Sequence, residues 1–140
     1  MVLTRFDPRN GSMQLENAGH NYPLLYRKAD RKSTFQEMIG NPLGVRKKAS
    51  RETIQFSLEE GDVVLFFTNG FVECPIGVEE YFGDEAFQAL FDRFCHEGRS
   101  PQTIADELMK ELHRRRIPGP LVDDVTLVVI KRETPLGERS

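Results

Sequence analysis

The feature that most constrains the fold is an unbroken apolar run, Val63 to Phe67. The polar turn Glu59-Glu60-Gly61-Asp62 precedes it, and Thr68-Asn69-Gly70 follows it. A short run rich in β-branched and aromatic residues between turn signals predicts a strand that is buried on both faces. Asn69 is then held at the end of a rigid strand, and Gly70 lets the backbone turn sharply or approach a ligand closely.

A second segment has the reverse order, because the acids Asp123 and Asp124 come first and the apolar residues 125–130 follow. If this strand lies antiparallel to the first one and contacts it, Asn69, Asp123 and Asp124 converge at one edge of the core. Oxygen ligands gathered on rigid elements suit a hard cation such as Mg²⁺ or Mn²⁺. The two segments together therefore predict a cation site at this edge.

The rest of the chain predicts an α+β fold, an antiparallel sheet of about six strands with two helices packed on one face. An Asn-Gly turn at residues 10–11 indicates a hairpin. Helical periodicity from Asp84 to His96 and a cap at Ser100 followed by proline predict the helices. Besides the two segments above, strands are predicted over residues 2–6, 12–17, 22–27 and 53–58.

Composition narrows the class of protein. With 140 residues the chain fits one domain, and its net charge of −3 argues against non-specific nucleic-acid binding as its main role. Its apolar runs are too short for a membrane span, and the N-terminus lacks a signal-peptide pattern, so the cytoplasm is expected. Cys74 and Cys95 lack metal-ligand spacing, and reduced thiols are expected in preference to a disulfide.

Five segments in order carry a resemblance to a known family: residues 17–25, 42–45, 61–70, 82–85 and 123–129. The chain resembles the C-terminal half of a metal-dependent protein phosphatase (PPM, type 2C) of the SpoIIE-like branch, which controls anti-anti-sigma factors. It departs from the family in two places. The family has Thr-Asp-Gly where this chain has Thr68-Asn69-Gly70, and the family's N-terminal Asp-Gly metal segment has no counterpart.

The resemblance implies that this sheet is half of a β-sandwich that is flanked by helices on both sides. It also implies a pair of Mg²⁺ or Mn²⁺ ions that activate water to attack phosphoserine or phosphothreonine. It makes Asp123 the matching carboxylate ligand and puts Asn69 where a second carboxylate belongs, next to Gly70. Asp124 is expected to support the site from outside or to cap its strand. No residue of this chain is assigned a catalytic role.

Two further residues are expected to support the site. The resemblance places His20 near the metal cleft, although a histidine in such a turn can instead serve only to hydrogen-bond that turn. Glu73 matches a glutamate common after the family's Thr-Asp-Gly, and hydrogen bonding within the following loop is expected of it in preference to metal ligation.

Three explanations for the departures stay open. The chain is the C-terminal part of a working phosphatase (residues 1–132, with a tail at 133–140), which agrees with its beginning inside a strand. In the second explanation, the replacement of aspartate by Asn69 is deliberate, or deamidation at Asn69-Gly70 restores the aspartate. Alternatively, the chain is a degenerate module that binds a sigma-regulatory partner.

Little phosphatase activity is expected of the chain alone, and the expected partner is a phosphoprotein such as an anti-anti-sigma factor. A missing half is expected to leave one sheet face apolar and uncovered, which favours dimerisation or instability. A third class of function is a small-ligand sensor, in which the sheet and the basic clusters at residues 28–32 and 46–51 bind an anion.

Overall fold

The structure is a computed structural model that describes residues 1–38, 40, 42–44 and 52–133. Within those ranges the chain forms nine strands and three helices. The strands are β1 (Val2–Asp7), β2 (Ser12–Asn17), β3 (Leu24–Arg27), β4 (Lys32–Phe35), β5 (Thr53–Ser57), β6 (Val63–Phe67), β7 (Pro75–Gly77), β8 (Glu80–Tyr81) and β9 (Leu127–Lys131). The helices are α1 (Asn69–Val72), α2 (Asp84–His96) and α3 (Pro101–Arg115).

Two antiparallel sheets carry the fold. The first has the order β1-β2-β5, the second has the order β4-β3-β6-β9, and β7 with β8 forms a separate hairpin. In the second sheet Val63 pairs with Lys131 and Phe67 pairs with Leu127, so the end of β6 meets the start of β9. The predicted antiparallel arrangement of these two segments is confirmed.

Strand β6 lies between two hydrophobic clusters, which explains its unbroken apolar sequence. Val64 and Phe66 belong to the cluster between the two sheets. Val63, Leu65 and Phe67 belong to the larger cluster, in which the second sheet packs against α2 and α3. All five residues of β6 are buried, so the prediction of a strand covered on both faces is confirmed.

The helices occupy the outer face of the second sheet, as predicted. Helix α2 buries an aromatic and aliphatic stripe with helical spacing: Phe87, Leu90, Phe91 and Phe94, together with Cys95. Helix α3 begins at Pro101, and the Ser100 side chain accepts a hydrogen bond from the Thr103 backbone N–H at 3.1 Å. This bond satisfies one of the free donors of the first turn.

The turn that starts β6 is organised by Asp62, which is almost completely buried. Its carboxylate accepts hydrogen bonds from the backbone N–H groups of Glu59 (2.8 Å) and Lys28 (3.0 Å). It also accepts one from Nη1 of Arg27 at 2.8 Å, which balances its charge. The Gly61-Asp62 turn thereby joins the start of β6 to the end of β3.

Several details differ from the sequence-based expectations. The strands form two packed sheets instead of a single one of about six strands, while the α+β class with helices on one face is confirmed. Strand β4 was not predicted, and β9 starts at Leu127 instead of Val125. The predicted irregular loop after Gly70 contains α1 and the β7-β8 hairpin. The basic cluster at 46–51 lies outside the described residues, as do positions 39, 41, 45 and 134–140.

The uncovered face of the first sheet is polar, contrary to the expectation of an apolar one. Side chains alternate along β2, so that Met13 and Leu15 are buried while Gln14 and Glu16 face outward. Thr53 of the neighbouring strand donates a hydrogen bond to Glu16 across this face at 3.3 Å. This expectation is wrong because the apolar residues of the sheet already face the sandwich interior.

The exposed apolar surface lies instead at one flank of the sandwich. Strands β1 and β9 are edge strands of the two sheets, and a groove of about 350 Å³ runs between them. Val2, Phe66, Val128 and Ile130 are among its lining residues, and Val128 is 49% exposed. An edge strand has unpaired backbone N–H and C=O groups, so this open flank can accept further strands.

Candidate functional site

The backbones of residues 69–70 and 123–124 meet at the junction of β6 and β9. A Cβ added to Gly70 would lie 2.2 Å from the Asp124 carbonyl oxygen and 3.2 Å from that of Asp123. Only a residue without a side chain permits this contact, which explains the glycine. The structure therefore brings together the two segments whose convergence the sequence predicted.

Thr68 fastens the two segments together through its side chain. Its hydroxyl donates a hydrogen bond to the Asp124 carbonyl oxygen at 3.1 Å and accepts one from the Thr126 backbone N–H at 2.9 Å. Its own N–H donates to the Thr126 carbonyl oxygen at 3.2 Å. Thr68 thus continues the β6–β9 ladder past the last paired strand residues and fixes the position of Asp124.

The side chains of Asn69 and Asp123 line neighbouring but different cavities. Asn69 is the first residue of α1 and lines a cavity of about 470 Å³ that also contains Glu73 and Asp84. Asp123 lines a cavity of about 580 Å³ that it shares with Gly70, Glu73 and others. One carboxylate oxygen of Asp123 accepts a hydrogen bond from the Asp124 backbone N–H at 2.8 Å.

Glu73 lies between the two cavities and lines both of them. Its backbone N–H donates to the Asn69 carbonyl oxygen at 2.9 Å and closes the single turn of α1. Its carboxylate makes no hydrogen bond within the described part of the chain, so the expected loop hydrogen bonding is made by the main chain instead. Glu73 is thus available to a ligand in either cavity.

Two acids that the sequence analysis did not single out border the Asn69 cavity. Glu37 follows β4, and Asp84 is the first residue of α2. Asp84 lies in the segment 82–85 that carries the family resemblance, whereas Glu37 lies outside all five of those segments. The motifs indicated neither acid as a lining residue of this cavity. Together with Glu73 they make this cavity acidic.

His20 lies at the same end of the sandwich but belongs to a different turn. Asn17 holds that turn, since its side-chain oxygen accepts from the His20 N–H at 2.7 Å and its amide donates to the His20 carbonyl oxygen at 2.8 Å. The imidazole borders the groove between β1 and β9, alongside Thr68 and Thr126. Partial burial, chiefly, and the nearby Met1 amino group lower the pKa of His20, while a hydrogen bond to the Phe67 backbone opposes them. A neutral imidazole at this position can serve as a hydrogen-bond partner to whatever occupies the groove.

The donor set does not complete a metal centre. Among the described residues, no three His, Cys, Asp or Glu side chains are grouped closely enough to hold an ion. Asp123 supplies one carboxylate that already caps a backbone N–H, and Asn69 supplies only a neutral amide oxygen. A binuclear site needs several carboxylates at short range, so these residues alone do not fit one.

Cys74 and Cys95 are both buried free thiols, as predicted. Burial is the main cause that raises the pKa of each thiol. None of the helices in the described ranges combines the length and apolarity that crossing a bilayer requires.

The chain is similar in sequence to proteins of one family. The sequence model of the family described as "Stage II sporulation protein E (SpoIIE)" matches residues 1–133. The chain is 31% identical over 93 residues to Stage II sporulation protein E of Bacillus subtilis strain 168, which covers 64% of this chain and 10% of that protein. The chain thus spans about a tenth of the length of this curated relative.

Two solved structures superimpose on nearly the whole chain. The RsbU and RsbW domains of a Mycobacterium tuberculosis protein match with a TM-score of 0.76 and 27% identity, over 96% of this chain and 36% of that one. The phosphatase domain of Bacillus subtilis SpoIIE, presoaked with manganese, matches with a TM-score of 0.65 and 24% identity, over 96% of this chain and 58% of that one. Both solved chains therefore extend well beyond the region that this chain matches.

Proposed function

The chain belongs to the SpoIIE family, and from that premise we propose that residues 1–132 are the C-terminal portion of a phosphoserine/phosphothreonine protein phosphatase domain. The observation that carries the proposal is the main-chain contact of Gly70 with Asp124. It supports placing the Thr68-Asn69-Gly70 turn beside the Asp123-Asp124 pair, where the resemblance puts metal ligands. Asp123 is then a ligand of Mg²⁺ or Mn²⁺, Asn69 occupies the place of a second carboxylate, and Gly70 permits their approach.

The proposal includes weak or absent activity for this chain by itself. Asn69 contributes no charge, so the site lacks the attraction that an aspartate there would have for a divalent ion. At ~4 Å and an effective dielectric near 20, that attraction is worth at most about 4 kcal/mol per unit of cation charge. The described residues also lack a group of three ligands. Acids from a complementing segment would have to complete the metal centre.

We propose a phosphoprotein of a bacterial partner-switching system, such as an anti-anti-sigma factor, as the substrate, and the cytoplasm as the location. The cavity at Asp123 is bordered by Tyr81 and Val122, and Val122 is 83% exposed. Exposed apolar side chains beside a site commonly contact a protein ligand. A flexible peptide around the phosphorylated residue would lie across them.

A second candidate is a catalytically degenerate module that binds a sigma-regulatory partner. The neutral Asn69 and the incomplete ligand set favour it. This candidate predicts tight partner binding that is independent of added metal, whereas an enzyme portion predicts metal-dependent binding at Asp123. Homodimerisation through the open flank between β1 and β9 is proposed for either candidate.

Manganese binding and phosphopeptide hydrolysis test the proposal. Isothermal titration calorimetry with MnCl₂ should detect weak binding by the wild-type chain and much tighter binding by Asn69→Asp. The matched control is Asn10→Asp, the same change of amide to carboxylate in the hairpin turn at residues 10–11. Hydrolysis of a phosphoserine peptide with Mn²⁺ should be slow for the wild-type chain and faster for Asn69→Asp.

Three outcomes would contradict parts of this proposal. Rapid, chelator-sensitive turnover by the wild-type chain would refute the weak activity. Equal manganese affinity of Asn69→Asp and Asn10→Asp would refute the placement of Asn69 at a metal site. Unchanged manganese binding in Asn69→Asp/Asp123→Asn relative to Asn69→Asp would remove Asp123 from the ligand set.

A further inference from the structure

A second cavity lies at the other end of the sheet from the candidate metal site. It has a volume of about 580 Å³, within the range of small-molecule pockets. Its lining includes Gly61, in the turn before β6, and Lys131, the last residue of β9. Asn69 and Asp123 lie beyond the opposite ends of these two strands. Five strand residues at about 3.3 Å each separate the two sites by roughly 17 Å.

The lining of this cavity is positively charged although the chain as a whole carries a net charge of −3. Four cationic side chains line it, Lys28, Arg31, Lys131 and Arg132, against two carboxylates, Glu60 and Glu133. The excess of two positive charges matches in magnitude the two negative charges of a fully ionised phosphate monoester. A cleft lined mostly by one sign of charge concentrates ligands of the opposite sign.

Two of the four cations are fixed in place by carbonyl oxygens. Lys131 Nζ donates to the carbonyl oxygens of Arg99 (3.1 Å) and Gly98 (3.4 Å). Arg132 Nη1 donates to the carbonyl oxygens of Asn10 and Leu58. Carbonyls do not neutralise these charges, so both continue to contribute a positive potential to the cavity.

The other two cations, Lys28 and Arg31, make no side-chain hydrogen bond or ion pair within the described part of the chain. Both belong to the turn between β3 and β4, where Arg31 has a φ of 56°. The Lys28 stem packs over Gly61, because a Cβ on that glycine would lie 2.4 Å from the Lys28 Cδ. Lys28 also lines the cavity, and among the described residues its ammonium group has no partner.

Tyr26 adds a hydroxyl group to the lining of this cavity. Its side chain is 1% exposed and its ring packs edge-on against Phe91, with centroids 6.4 Å apart. The residue also lines the cavity, and its hydroxyl makes no hydrogen bond within the described ranges. The hydroxyl can therefore donate a hydrogen bond to a ligand in the cavity.

We propose that this cavity binds a small phosphorylated molecule through its phosphate group, with Arg31 and Lys28 pairing with the phosphate oxygens and Tyr26 donating a hydrogen bond. The Arg31 fork can bind two phosphate oxygens at once, and Lys28 adds a point charge. The site is separate from the proposed metal centre.

Calorimetry in the presence of EDTA tests this proposal without involving the metal centre. Ribose 5-phosphate and inorganic phosphate are titrated into the wild-type chain, with unphosphorylated ribose as the neutral control. We expect saturable binding of both phosphates and none of ribose. Arg31→Ala and Lys28→Ala should each weaken binding about tenfold, the usual loss for one charge-assisted hydrogen bond.

Two further variants separate the site from general charge effects and from folding defects. Tyr26→Phe keeps the ring against Phe91 and should weaken binding about threefold to fivefold, with the thermal midpoint as a check of folding. Lys110→Ala removes an exposed cation of α3 that is paired with Glu107, and should leave binding unchanged. If Tyr26→Phe does not fold, the two cation variants still decide the question.

Backbone amide NMR shifts locate the bound phosphate. Shifts centred on Gly61 and Gly98 support the proposal, and shifts centred on Gly70 overturn it. It is also overturned if neither phosphate binds saturably, or if Lys110→Ala weakens binding as much as Arg31→Ala does. Binding of inorganic phosphate without ribose 5-phosphate would overturn the assignment to an esterified phosphate.

Discussion

Replacement of Gly70 by alanine should separate the two segments of the candidate site. The added Cβ would lie 2.2 Å from the Asp124 carbonyl oxygen and 2.9 Å from its carbonyl carbon. Both atoms belong to the main chain, so neither can move aside by a side-chain rotation. Relief requires the junction of β6 and β9 to open by about 1.2 Å or more, the difference from an ordinary van der Waals contact.

The expected loss of stability follows from three contributions. Overpacking of a well-packed site costs about 1–3 kcal/mol. Weakening of the hydrogen bond from Thr68 to the Asp124 carbonyl adds about 1 kcal/mol. Alanine recovers up to about 1 kcal/mol because it favours the helical backbone of α1 more than glycine does. The net loss is about 2 kcal/mol, which lowers the thermal midpoint of a chain of this size by about 6–8 °C.

Urea unfolding and thermal unfolding of Gly70→Ala measure this loss against a matched control. Gly77→Ala also replaces a glycine that lacks a positive φ, but its Cβ would meet only the flexible Glu80 carboxylate at 3.0 Å. The control should unfold within about 0.5 kcal/mol of the wild-type chain, as most tolerated substitutions do. A Gly70→Ala variant that is as stable as Gly77→Ala would refute the tight main-chain contact.

Four other outcomes follow from the structure. Asp62→Ala removes the acceptor of three hydrogen bonds and should lower the free energy of unfolding in urea by about 2 kcal/mol. Ser100→Ala removes the α3 cap and should cost about 1 kcal/mol in the same assay. Burial raises the pKa of Asp92, so the folded chain binds this proton more tightly than the unfolded chain does. The stability of the wild-type chain relative to Asp92→Asn should therefore fall as pH rises from about 4. Urea unfolding at several pH values measures this difference. Cys74 and Cys95 should react with a thiol reagent at pH 7 only after denaturant is added, because burial raises the pKa of both thiols. Rapid reaction of the native chain would contradict their burial.

Local sequence patterns were sufficient where one element supplies its own signal. The bounds of β2, β6 and α2 agree with the prediction because alternation, an unbroken apolar run and a helical stripe each lie within one segment. Strand β4 was missed because Lys32 to Phe35 is mostly polar and buries little besides Ser33. The β7-β8 hairpin was missed because strands of three and two residues are too short to produce a periodic pattern.

The late start of β9 has a specific cause in the site itself. The Thr126 N–H donates to the Thr68 hydroxyl instead of to a carbonyl of the neighbouring strand. A side chain thus replaces a regular ladder bond at that point, and the strand begins one residue later. Apolar character at Val125 could not indicate this, because the bond depends on a residue 58 positions away.

The convergence of the two segments was predictable from the sequence, but the surroundings of their side chains were not. Strand order along the chain was enough to bring Asn69 near Asp123, since it depends only on two antiparallel neighbours. The cavities that these side chains line depend on α1 and on the β7-β8 hairpin, which the sequence did not indicate. Glu37 and Asp84 reach the Asn69 cavity only through the packing of β4 and α2, so their contribution required the structure.

The contact between Gly70 and Asp124 has an evolutionary consequence. Because main-chain atoms form this contact, exchange of the Asn69 amide for a carboxylate leaves the contact intact. A lineage could therefore lose or regain a charged group there, such as aspartate in place of Asn69, without rebuilding the protein around it. The backbone arrangement and the chemistry of the side chain can therefore change independently at this junction. A single nucleotide change is enough to convert an aspartate codon to an asparagine codon.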